Sequence, residues 1–441
     1  MSSKRNTSFR PRLLSLRASG PRGERGVVLI LAVFAVVLLA VLAVGIVAAV
    51  RVELRASHAN LEREQALLLA QAGLQQARAI LVYDDETLDT LQEAWGPQAR
   101  LPLDLPHQLG DGFYQVRVED ACGRIDVNTA DLDTLFRLTG NAQVAADIIA
   151  WREGVGGDQG YYQALAYPYS ARGAPFQTLG ELLLVRGVTP EMFFGTKGKP
   201  GLADVLTVES LSANTSSTGG MRIGLNEFRN CEELSLSEAF QTYVMARLGA
   251  AFTTYDIDSV CSGLSRLNSI GQQYTSLAQL VTVAGLGYDR VISIIDYFTV
   301  NPGLQTRGLV NVNTAAPAVI AALPGGSIGL GMAIEGRRRK APFTSLGDFT
   351  EFLLNQPNGP DIFTLIIDHV NVKSSSFIIE SMGYPATERT FRTLRALVRR
   401  DGGQVIVVQQ SEEDSPLPPL EERMQASAAG GERFALAQPA S

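Results

Sequence analysis

The side chains able to do chemistry are few, and their spacing gives catalysis no support. The three histidines, His58, His107 and His369, stand far apart. No Gly-x-Ser-x-Gly, His-Glu-x-x-His, phosphate-loop or paired Cys/His pattern occurs. Gly285-Leu-Gly287 lacks the rest of a dinucleotide fingerprint. The three cysteines, Cys122, Cys231 and Cys261, form no Cys-x-x-Cys, so zinc and dithiol redox chemistry are not indicated. They suit an exported chain with at most one bridge, and Cys231–Cys261 is the expected pair. The acidic groups Asp84-Asp85-Glu86 and Asp131/Asp133 lack calcium-loop spacing and read as a solvated face or a helix cap. Arg337-Arg338-Arg339-Lys340 could supply phosphate contacts. The same four residues fall near a helix C-terminus, where cations are favourable without any ligand. No enzyme activity is expected.

The elements that would position these residues are organised around residues 27–50, 24 residues with no charge, no Pro and one Gly. As a helix the run extends about 36 Å, enough to cross a hydrocarbon core of ~30 Å. Residues 1–26 hold seven Lys/Arg and one acid; without them the formal charge moves from -7 to -13. A basic flank before the apolar run predicts a cytoplasmic N-terminus and an exported remainder. A cleavable secretory signal would have an apolar region of about 7–15 residues, so this run is too long. Ser57-His58-Ala59 is also a poor cut site, lying beyond Arg51, Glu53 and Arg55. Gly26 stands just before the helix, the place where a prepilin peptidase would cut and leave the apolar segment attached to a new N-terminal Val27. The acidic mature chain disfavours bulk nucleic-acid binding.

The apolar helix is expected to continue to residue 82, with Leu54, Leu61, Leu68 and Leu74 near heptad spacing and one glycine, Gly73, in that stretch. Alternation at 113–119 predicts a strand. Gly123-Arg-Ile-Asp-Val-Asn-Thr-Ala130 recurs as Gly308-Leu-Val-Asn-Val-Asn-Thr-Ala315. Asn128 or Thr129 is expected to cap the helix that follows. Each copy leads through a Gly turn into a second helix (144–152; 331–339) and ends in a Pro-Phe-x-[Ser/Thr]-Leu-Gly-acid phrase. A third, partial copy is read from Tyr274 to 298. Short helices around such turns are helix-hairpin-helix-like. Strands return at 376–382, 390–400 and 404–410, with Asp401-Gly402-Gly403 as a hairpin. Residues 411–441, with six acids and four prolines, read as a disordered acidic tail.

With these residues in place, the chain resembles the K-type minor pseudopilins of bacterial type II secretion. The resemblance rests on Arg25-Gly26, Ala66-Leu-Leu-Leu-Ala-Gln-Ala-Gly73 and Glu119-Asp-Ala-Cys-Gly-Arg-Ile-Asp-Val-Asn128. Val310-Asn-Val-Asn-Thr-Ala315 and the closing Ser374–Phe377 and Leu394–Arg399 stretches also carry it, so that it spans about 25–410. The departures are a long leader, the region 200–300 and the tail. It implies an α+β fold: a pilin-like long N-terminal helix packed on a small antiparallel sheet, with a large inserted helical (helix-hairpin-helix/SAM-like) domain. The expected organisation is leader 1–26; helix 27–82, with 27–50 transmembrane; α/β domain 83–123 plus 306–410; helical insert 124–305; and tail 411–441.

The resemblance further implies cleavage between Gly26 and Val27, N-methylation of Val27, and a single-pass inner-membrane protein whose C-terminal domain is periplasmic. Its implied partners are the other minor pseudopilins, the major pseudopilin, the prepilin peptidase and the inner-membrane secretion platform. Ordinary pilins have Glu at the fifth mature position; here it is Leu31, as in K members, which are placed at the pseudopilus tip. No cofactor is required by the resemblance. It admits calcium, with ligands unassigned. The rival expectation is a membrane-anchored periplasmic DNA-binding protein. Its helix-hairpin-helix units would resemble those of the competence protein that captures DNA, with Arg337, Arg338, Arg339 and Lys340 as contacts.

Overall fold

The computed structural model describes residues 24–154, 159–196, 199–228, 253–387 and 390–413. The chain divides into two compact units, Met1–Glu62 and Arg63–Ser441. The described part of the first is helical and belongs to α1 (Glu24–Val82), which crosses the boundary between them. This helix is long and apolar enough to cross a membrane, and residues 26–60 are exposed apart from a half-buried Ala59.

In the second unit, α1 buries Ala66, Leu69, Ala70, Leu74, Ala77 and Leu81, a stripe at the three- and four-residue spacing of one helix face. The stripe seats on a five-stranded antiparallel sheet in the order β1-β2-β3-β4-β5, comprising β1 (His107–Leu109), β2 (Gly112–Asp120), β3 (Ser376–Tyr384), β4 (Arg392–Asp401) and β5 (Gln404–Glu413). Val116, Val118, Phe377, Ile379, Ala396, Val398 and Val405 face Leu74, Ala77, Leu81, Trp95 and Leu103 in one core. Burial of each large aliphatic side chain there contributes about 1.5–3 kcal/mol. Gly402 and Gly403 both have positive φ, as a two-residue turn with the twist of a hairpin requires. β5 runs to Glu413, three residues past the expected Gln410, because its pairing with β4 continues to Thr393.

Neighbouring strands β2 and β3 pair Phe377 with Asp120 across an insertion of helical repeats. Three copies are present, each opened and closed by a short parallel strand pair. These are Ile125–Asp126 with Leu206–Thr207, Ile223–Gly224 with Phe298–Thr299, and Val310–Asn311 with Val370–Asn371. Copy one contains α2 (Leu132–Thr139) and α3 (Ala142–Glu153). Copy two contains α4 (Thr254–Asn268) and α5 (Tyr288–Ile294). Copy three contains α6 (Pro317–Ala322), α7 (Ile328–Arg338) and α8 (Leu346–Leu354).

One asparagine holds each copy together. Asn128, Asn226 and Asn313 each donate to the carbonyl, and accept from the amide, of Phe176, Tyr274 and Phe343 respectively, at 2.7–3.0 Å. Copy two therefore begins near Arg222, ahead of the Tyr274 start expected from sequence. Asn128 is not a helix cap; Asp131 caps α2 by accepting from Thr134 N. Copies one and three contact reciprocally, with Gly123 against Thr314 and Gly308 against Thr129, as a local two-fold relation requires. Their shared core runs from Ile125 to Val372. Residues 306–372, expected with the sheet, pack instead with the helical repeats, because Val310, Val312, Ile320, Leu346 and Val370 are buried in that core.

Candidate functional site

The residues expected at the cleavage site, and Leu31, lie in the first unit. Gly26, Val27 and Leu31 are all exposed on α1, Val27 at 57% and Leu31 at 61%. No side chain of the described residues covers them, so this surface is available to lipid or to another subunit.

The second polar centre joins the sheet to the repeats. Asp120, at the end of β2, is buried and accepts from Cys122 N (2.8 Å), Asn311 Nδ2 (3.0 Å), Thr314 Oγ1 (2.6 Å) and Ser374 Oγ (2.6 Å). Burial pushes its carboxyl above the usual range against these four donors. Beside it, Arg400 of β4 bonds Asp89 and, at 3.2 Å, Asp84. Trp95 Nε1 donates to Asp84 Oδ2 (2.9 Å) and Glu93 Oε2 (2.8 Å). Asp89 also takes Ser374 N, while its own carbonyl accepts from Asn311 Nδ2. Segment 84–95 thereby clamps β3 and β4 to copy three.

Asp84, Asp89 and Glu93 converge within 4.8 Å, close enough for a cation. Arg400 already supplies positive charge to Asp84 and Asp89, so the trio has a built-in counter-ion. Of the other acids, Asp85 accepts from Thr87, Asp131 caps α2, and Asp133 pairs with Arg137 at 2.8 Å.

Burial, then the nearby Asp89 and Asp84, push Glu93 up to about 8. Burial similarly takes Asp89 to about 7, with Arg400 opposing it. An acid with a raised folded pKa binds more protons folded than unfolded, so stability falls as pH rises from its unfolded value through its folded value. Glu93→Gln should therefore match the parent at pH 5 and exceed it at pH 8.5. The expected gain is on the order of 1 kcal/mol after discounting solvent exposure. The single oxygen of Gln can accept from both Trp95 and Thr90, since Glu93 Oε2 receives both. Urea titrations at the two pH values measure this; equal differences at both would refute the assignment.

Half of the basic run of copy three is engaged inside the fold, and Arg339 and Lys340 are exposed. Arg338 is buried and donates to Val312 O (2.9 Å) and Ala315 O (2.7 Å). Arg152 of copy one makes the equivalent bonds to Val127 O and Ala130 O without any basic cluster around it. Arg337 pairs with Asp348 at 3.2 Å and Arg339 with Glu335 at 2.6 Å, leaving Lys340 exposed. Cys261 is buried on α4 and is not a free thiol; Cys231, its expected partner, lies outside the described residues. Cys122 is free and buried, and burial followed by the nearby Asp120 pushes its thiol up to about 12, which leaves it inert.

Sequence reasoning missed the Asn226 clamp and the buried Arg222–Asp296 pair within copy two, which bonds copy three through Asn371 and Leu346 N. The signal was present: Arg222-Ile-Gly-Leu-Asn226 parallels Arg124-Ile-Asp-Val-Asn128.

Residues 310–369, the third copy, match the family described as type II secretion system (T2SS), protein K. The chain is also similar to a chain in the crystal structure of the GspK-GspI-GspJ complex from the type 2 secretion system of enterotoxigenic Escherichia coli. Identity is 13%, coverage 81% of this chain and 99% of that one, and the TM-score 0.40. No curated protein matches.

Proposed function

We propose that this chain is a K-type minor pseudopilin that assembles with other minor pseudopilins at the pseudopilus tip and primes or caps the filament in type II secretion. The observation that carries this is the match of copy three to the K family, on a chain whose one long apolar helix continues into the seat on a small sheet. The helix anchors the chain once in the inner membrane, with the basic N-terminus cytoplasmic and the sheet and repeats periplasmic. The peptidase cuts after Gly26, Val27 is N-methylated, and α1 packs against the helices of partner subunits, the major pseudopilin and the secretion platform.

Charge supports the tip position. The new α-amino group on Val27 needs a partner once buried between helices. A Glu at the fifth position would offer that carboxylate to a subunit above; Leu31 cannot. The role is structural, and calcium is an added ligand only if a binding titration finds one.

The test is intact mass and N-terminal sequencing of the chain made with and without a prepilin peptidase. A Val27 N-terminus appearing only with the peptidase is expected. A full-length chain, or a cut near Ala59, overturns the reading. Leu31→Glu should leave cleavage intact but impair secretion and pseudopilus assembly, and unchanged values for both would remove the charge argument.

A further inference from the structure

We propose that the outer edge of β5 is a docking site for an edge strand of another membrane-anchored pilin-like subunit, which extends the sheet by one strand. The inference deepens the pseudopilin reading and rests on it.

The two edges of the sheet differ. β1 is three residues long and directly follows Pro106, so it offers little backbone. β5 is ten residues long, and its outer side pairs with no strand among the described residues. Edges left open in soluble proteins usually carry lysine, proline or an inward charge. From Gln404 to Ser411 there is no charge and no proline. Ile406, Val407 and Val408 are 36%, 37% and 42% exposed. The one irregularity is the bulge where Val398 pairs with Val407 and Leu397 with Gln409.

Position and charge select the occupant. Arg78 of α1 donates from Nε (3.2 Å) and Nη2 (2.7 Å) to Val405 O, so β5 begins beside the helix that continues into the membrane-spanning run. A subunit whose own helix packs along α1 brings its sheet to this edge. The flanks are acidic: Asp401 at the turn and Glu412 near the far end are both exposed. Arg395, Arg399 and Arg400 of β4 are engaged elsewhere, with Glu380, Glu209 and the Asp84/Asp89 pair respectively. The fitting strand has a neutral, β-branched centre and Lys or Arg at its ends. Backbone pairing supplies affinity, and the ends supply register.

The experiment is amide hydrogen exchange on the full-length processed chain in detergent, alone and co-purified with the minor pseudopilins of the same secretion system. Complex formation reports on the pseudopilin reading; the edge amides report on this inference. The expected result is a complex in which the outward-facing amides of 404–411, those not bonded to β4, exchange at least about tenfold more slowly than in the chain alone. Val407→Lys should weaken association at least about tenfold while exchange in β3 and β4 stays unchanged. A complex with unprotected edge amides overturns the inference and leaves the reading standing. Protection of the outward-facing amides already present in the isolated chain, from a second copy or from residues 414–441, overturns it as well. Absence of any complex overturns both.

Discussion

Asp296→Ala is expected to destabilise the second unit by about 3–5 kcal/mol, the usual cost of leaving a buried charge without its partner. Arg222 and Asp296 meet at 3.1 Å with side chains only 4% and 6% exposed. Asp296 also accepts from Ser217 N (2.6 Å) and Leu346 N (3.3 Å), while Arg222 Nε donates to the Asp296 carbonyl. One carboxylate thus ties the loop before copy two, the end of α5 and the start of α8. Burial would raise its pKa, but Arg222 and the amide donors overcome this and hold the carboxyl below the usual range. Its contribution is therefore present above the unfolded value of ~3.9 and lost as pH falls through the folded one.

The measurement is urea unfolding followed by hydrogen exchange across copies two and three. Trp151 and Trp95 serve as separate reporters of copy one and the sheet. Loss should centre on copies two and three. Asp296→Ala with Arg222→Met should recover much of it, since removing both charges removes the unpaired guanidinium. An Asp296→Ala variant within 1 kcal/mol of the parent, or a double variant no better than the single, would rule out a charge that matters.

How much of this was legible follows from what each feature needs. The long helix, the β2 alternation and the Gly402-Gly403 hairpin are local, so period and turn chemistry expose them. Copies one and three were legible because Asp126-Val-Asn-Thr129 and Asn311-Val-Asn-Thr314 are nearly identical. Copy two was half hidden, because Gly224 stands where the others have Asp126 and Asn311, and Glu227 where they have Thr129 and Thr314. The Asp120 hub could not be read, because its donors come from residues 122, 311, 314 and 374, which only the closed fold brings together. Arg338 looked like a phosphate contact because sequence shows charge and not burial. Its carbonyl partners, 23 and 26 residues away, decide its role.

Gly383→Val should lift α1 from its sheet. Gly383 lies on β3 directly beneath the helix, and a Cβ there would fall inside the van der Waals shells of Ala66 O and Ala70 N. Those are backbone atoms, so no rotamer change relieves the overlap; the helix must move. Gly73 faces the same seam from above, against Ser381, Tyr114 and Val116 side chains, which can yield somewhat. Overpacking a closed core costs typically ~1–3 kcal/mol, and displacement of Leu69, Leu74 and Leu81 from the sheet adds to that. We expect at least about 3 kcal/mol for Gly383→Val and less for Gly73→Ala. Exchange at residues 66–81 should rise sharply and proteolysis should open the segment 83–106, while the helical repeats keep their protection because their core is separate. A Gly383→Val chain with parent-like exchange at residues 66–81 would show that the close helix–sheet approach is not what holds the head.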